Sequence, residues 1–120
     1  MRRATAAMLI LLSGSQGLAC PANLNGQFPI AQSNDAYPVF DLTQDGYKIS
    51  GSVRLRDAYG VVSGTAENQR VDVVVIWQGN HKGRYTWSID DNGAMKNGTA
   101  IDLGGTGSKI ELSSKENFCR

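Results

Sequence analysis

Tyr47, Ile49, Gly51, Val53 and Leu55 alternate strictly with Lys48, Ser50, Ser52, Arg54 and Arg56. A period of two sends successive side chains to opposite faces of an extended chain, so this stretch predicts a strand with a dry face and a wet, basic face. Asp45-Gly46 before it and Asp57-Ala58-Tyr59-Gly60 after it carry turn chemistry, and Val61 to Glu67 then reads as the returning strand.

The same pattern continues. In Val71 to Trp77 the residues Val71, Val73, Val75 and Trp77 share one face, with Asp72, Val74 and Ile76 on the other. Apolar residues on both faces beyond Asp72 predict a central strand covered on each side. Gly79 to Gly83 breaks it, after which Tyr85, Trp87 and Ile89 form the inward row of the next strand. Asp91-Asn92-Gly93 reads as a hairpin turn, Ala94 to Leu103 as a strand, Gly104 to Gly107 as a turn, and Ser108 to Leu112 as a last strand. Leu24 to Ile30 and Tyr37 to Leu42 read as edge strands, because Pro29 and Pro38 lack an amide donor.

With 14 Gly, 3 Pro and many β-branched residues, the chain predicts an all-β fold, an antiparallel meander of about seven or eight short strands. A small closed or nearly closed barrel is the simplest form, since closure removes free edges; a two-layer β-sandwich is the alternative.

The succession Gly51 to Leu55, Ser63-Gly64-Thr65, Val73 to Trp77, Gly83-Arg84-Tyr85-Thr86 and Asp90-Asp91-Asn92-Gly93 resembles the β-meander of small exported calycin-type barrels, including the avidin-like group. The resemblance covers the central half of the chain and implies a barrel that takes a ligand at its open mouth. The Gly-x-Trp that opens many calycin chains is absent, Gly26-Gln27-Phe28 being the nearest match, so the avidin ligand is not carried over.

Met1-Arg2-Arg3, the apolar run Ala4 to Leu12 and the small residues up to Ala19 have the order of a secretory signal peptide, and the run is too short for a spanning helix. Residues 1–19 are therefore read as a signal and 20–120 as one β domain, exported to the periplasm or secreted. Without Arg2 and Arg3 the 12 basic residues fall to 10 against 11 acidic, which gives no drive towards nucleic acid or an anionic membrane. The only two cysteines, Cys20 and Cys119, bracket the mature chain and read as a disulfide. Such a closure of roughly 100 residues restricts the unfolded chain by about 4–5 kcal/mol. Gly17-Leu18-Ala19-Cys20 also partly matches a lipoprotein cleavage box, so lipidation of Cys20, with membrane anchoring, is the alternative.

Few residue groups suggest chemistry. His81 is the only histidine and sits on a Gly-flanked turn; there is no Gly-x-Ser-x-Gly elbow and no phosphate loop, so no catalytic residues, metal site or cofactor are assigned. Asp90 to Gly93 lacks the alternating acids of a calcium loop. Asn97-Gly98-Thr99 matches an N-glycosylation sequon, relevant only to a eukaryotic route. Trp77, Tyr85 and Trp87, on neighbouring strands with Lys82 and Arg84 beside them, are the candidate ligand-binding residues; core packing of the aromatics is the competing reading.

The sequence thus predicts a noncatalytic exported binding module for a small ligand, a glycan or a protein surface. A small envelope hydrolase acting on carbohydrate through paired carboxylates, or an inhibitor of a secreted hydrolase, is the alternative.

Overall fold

Strict alternation has its clearest consequence at Arg70–Trp77, where Val71, Val73 and Val75 are sealed from solvent while Asp72 and Val74 between them are half-buried. The computed structural model describes residues 23–105 and 107–119. Its strands are β1 (Gly26–Pro29), β2 (Ala31–Gln32), β3 (Val39–Asp45), β4 (Lys48–Leu55), β5 (Ala58–Glu67), β6 (Arg70–Trp77), β7 (Lys82–Ile89), β8 (Met95–Asp102) and β9 (Lys109–Ser113). A single 3-10 turn, Gln78–Asn80, joins β6 to β7.

All pairings are antiparallel, in the order β1-β3-β4-β5-β6-β7-β8-β9-β2. The two outermost members, β1 and β2, are separated in sequence by Ile30 alone. Upstream of Ile30 the segment pairs with β3, Phe28 opposite Phe40; downstream it pairs with β9, Gln32 opposite Leu112. One short stretch of chain therefore joins both ends of the sheet, and the meander is a nearly closed barrel, not a two-layer sandwich. Nine strands replace the expected seven or eight because this stretch changes partner at Ile30. The Ile30 amide reaches the Pro38 carbonyl at 2.9 Å, and the Ser114 hydroxyl donates to the Pro29 carbonyl at 3.0 Å, tying the seam.

Several local expectations need correction. Tyr47 belongs to the β3–β4 turn and is 67% exposed, and Arg56 occupies the β4–β5 turn with φ +56, so neither continues the alternating row. Ile76 is exposed and Val74 only half-buried, because the outer wall of the barrel carries no second layer; β6 is dry on one face alone. β3 is an interior strand. Pro38 precedes it and contributes its carbonyl, the one hydrogen-bonding group proline retains.

Inside, Phe40 meets Tyr85 and Trp87 edge-on at 5.2 and 6.2 Å. Each such fully buried apolar side chain contributes about 1.5–3 kcal/mol. Phe118 closes one end: it is 1% exposed, stacks on Phe28 at 5.1 Å, and its amide binds the Gly93 carbonyl at 2.9 Å. Leu24 is buried at the same end, its amide held by Gln44 Oε1 at 2.8 Å. The expected leader, 1–19, and Cys20 of the expected bridge lie outside the described residues.

The β7–β8 connection runs through Asp90 to Ala94, longer than an Asn-Gly two-residue turn. The Asp90 carboxylate accepts the amides of Asn92 and Ala94, both at 2.9 Å, and Gly93 takes φ +85. Asn97, with φ +54, adds an extra residue opposite Trp87, so the sequon lies in a β-bulge on the outer surface.

Candidate functional site

The end of the barrel opposite Phe118 is open. Strands β4, β6, β7 and β9 bring Leu55, Trp77, Tyr85 and Ile110 to a cavity of about 290 Å³ there. Trp77 is half-buried at the end of β6, and its amide donates to the His81 carbonyl at 2.7 Å, which closes the following turn. Gly60, on the neighbouring strand, makes room for the indole: a Cβ there would lie 2.8 Å from Val75 Cγ1 and 3.2 Å from Trp77 Cε3.

The floor is polar. Tyr85 Oη donates to Gln32 Oε1 at 2.9 Å, and Gln32 Nε2 donates to Asn34 Oδ1 at 3.0 Å, a chain that climbs from the interior to the mouth. Gln32 is the one polar residue among the buried side chains described, at 8% exposure. A buried amide is tolerable only with partners, and these bonds supply them while leaving Gln32 and Asn34 each with unused amide hydrogens. Burial pushes the Tyr85 phenol up to about 12, so it remains a neutral donor across the physiological range. At the rim His81 Nε2 stands 4.0 Å from Asp102 Oδ2, and the His81 side chain is largely exposed.

Of the residues selected from sequence, Trp77, Tyr85 and Lys82 come together at this mouth. Trp87 does not; it is 1% exposed beneath it, and its Nε1 finds no hydrogen-bond partner among the described residues. Arg84 faces the outer wall, where it grips both oxygens of Asp72, at 2.9 and 2.6 Å. That hydrogen-bonded pair holds the Asp72 carboxyl below its ordinary range and raises the guanidinium.

Gln32 and Asn34 were not among the residues selected from sequence. For Gln32 the signal is parity, since it falls on the same face as Phe28 and Ile30, a polar residue in an inward row; Asn34, exposed in the turn that follows, carries no such mark. A polar side chain in such a row must find partners inside the barrel.

Comparison of the chain with protein-family models, with curated proteins and with solved structures finds no match.

Proposed function

We propose that this chain is an exported, noncatalytic binding module of calycin type that takes a small ligand at the barrel mouth. The observation that carries the reading is the hydrogen-bonded floor Tyr85–Gln32–Asn34 lying beneath an open cavity walled by Trp77. Binding sites combine apolar walls with a few fixed polar groups, and both are present here. Leu55, Ala100, Ile110 and the indole supply the apolar area, and the amides of Gln32 and Asn34 supply directed donors. Asp102 is the single carboxylate lining the cavity among the described residues, which favours binding over hydrolysis by an acid pair.

The test is two-dimensional NMR of the 15N-labelled protein against a library of fragments sized for 290 Å³. Hits should saturably shift the Trp77 indole N–H and the side-chain amides of Gln32 and Asn34, and Trp77→Ala should weaken them about tenfold. A library that leaves those signals unmoved, or hits that bind W77A equally well, would reject the proposal.

A further inference from the structure

At the closed end of the barrel, away from the mouth, a larger cleft of about 730 Å³ opens between the β3–β4 and β5–β6 turns. Its floor is apolar and already packed: Leu24, Val71 and Ile89 are each 3% exposed or less. Two amides at its edge are committed to the fold. Gln44 accepts the Leu24 amide and donates to the Gly46 carbonyl, while Gln69 donates to the Ile89 carbonyl, each at 2.8 Å.

Other polar groups at the rim are not used in this way. The side chains of Tyr47, Glu67, Asn68 and Arg70 make no hydrogen bond or salt bridge to another described residue. Glu67 and Arg70 face each other across the two-residue turn Asn68-Gln69, both of whose members hold left-handed φ values, +54 and +63. The turn is thereby fixed in shape, with Gln69 bonded to the Ile89 carbonyl and the Asn68 side chain left available. On its far side a second concavity of about 420 Å³ shares Glu67, Asn68 and Arg70 and runs on along the outer wall to Asp72 and Ser88.

We infer that this cleft binds a neutral oligosaccharide. A sugar ring offers an apolar face and a fringe of hydroxyls that both donate and accept. The exposed ring of Tyr47 matches the face. The carboxylate of Glu67 accepts, the guanidinium of Arg70 donates, and the Asn68 amide does both. Glu67 and Arg70 cancel in charge, so nothing at the rim selects an ionic ligand. Two concavities meeting over one hairpin tip suit a ligand longer than a single ring. The packed floor leaves no slot for an acyl chain. This site is separate from the mouth, and neither reading depends on the other.

The test is an array of immobilised oligosaccharides, neutral (gluco-, manno-, xylo- and chito-oligosaccharides) and acidic (oligouronates), followed by calorimetry with the best neutral hit. Neutral oligosaccharides should be retained, and Tyr47→Ala should cut affinity about tenfold or more. Asn68→Gly, which keeps the left-handed turn, should weaken binding severalfold, whereas Trp77→Ala should leave it unchanged. Retention of acidic glycans alone, retention of none, or a folded Y47A variant that binds like the parent would overturn the inference. Loss of binding in W77A with Y47A intact would do the same and move the sugar to the mouth.

Discussion

The Tyr85 hydroxyl donates to Gln32 Oε1 at 2.9 Å, linking residues 53 positions apart from two strands that are not neighbours in the sheet. The bond spans the barrel interior from β7 to β2, the strand that completes closure. It fixes one end of the polar floor and braces the seam in the same contact.

That relationship makes alkaline stability a direct readout. The folded phenol titrates at about 12 against an ordinary 10.0, because burial disfavours the phenolate. A raised folded pKa means the contribution is complete below pH 10 and is lost as pH climbs towards 12. A shift of that size corresponds to roughly 2–3 kcal/mol. Urea denaturation at stepped pH should show this loss in the parent and a much flatter profile in Tyr85→Phe. At pH 8 the same variant should cost about 1–2 kcal/mol, since Gln32 Oε1 loses its donor. Equal alkaline slopes in the two proteins would count against the buried bond.

The two tryptophans should be distinguishable by a neutral quencher. Trp87 is 1% exposed under Phe40 and Phe118, whereas Trp77 is half-buried at the open mouth. Emission from Trp77→Phe should resist acrylamide, and emission from Trp87→Phe should be quenched readily. The reverse order would mean that the mouth is filled and the interior wet.

Much of this was legible from parity. Ile49 and Val53, then Val71, Val73 and Val75, then Tyr85, Trp87 and Ile89 fall inward as a period of two requires. What parity could not supply was curvature. Whether the far side of β6 meets another layer or solvent depends on how the whole sheet closes, so Val74 and Ile76 were misread as covered. Closure itself hinges on Ile30 switching partner between β3 and β9, a long-range pairing with no local mark. Arg84 and Trp87 both lie on β7, and the sequence reading joins them in one site, although odd and even positions of one strand cannot face the same way.

Acid should loosen the outer wall and the β7–β8 turn together. The Asp72 carboxyl is lowered chiefly by its hydrogen bonds to Arg84, and that of Asp90 chiefly by the Ala94 amide, both from an ordinary 3.8. With folded values depressed, the unfolded chain binds more protons in this window. The stabilisation is complete above the ordinary value and drains away as pH falls through the depressed ones. Asp90→Asn keeps an acceptor for the two amides but removes the titration, so its stability should fall less steeply than the parent's as pH drops below the ordinary carboxyl value of 3.8. Parallel acid profiles would show that Asp90 contributes nothing to the dependence.

Gly93 is the point where the β7–β8 turn and the chain's final segment meet. At φ +85 an L side chain is strained, and a Cβ would collide with Asn117 Oδ1 and lie 2.7 Å from Cys119 Sγ. Gly93→Ala should therefore cost about 2 kcal/mol or more, with the loss concentrated at Phe118. Hydrogen exchange should show the Phe118 amide, bonded to the Gly93 carbonyl, losing protection before the amides of β6. A variant with unchanged exchange at Phe118 would mean that the final segment is held independently of this turn.

We propose a Cys20–Cys119 bridge on the ground that these are the chain's two cysteines; of the pair, Cys119 alone lies among the described residues. Leu24 and Phe118 are both buried at the closed end, the first held by Gln44 and the second by Gly93 and by stacking on Phe28. Phe118 immediately precedes Cys119 and Leu24 follows Cys20 by four residues, so the bridge would join sequence neighbours of two side chains buried at the same end. The mature protein should weigh about 2 Da less than its fully reduced form, as a disulfide requires. Reduction, or Cys119→Ala, should lower stability by about 2–4 kcal/mol, chiefly by freeing the unfolded chain, and should leave the fluorescence of buried Trp87 native at low denaturant. An acyl mass on Cys20, or two alkylatable thiols in the untreated protein, would rule the bridge out, because a sulfur bonded to lipid or to hydrogen cannot also close the chain.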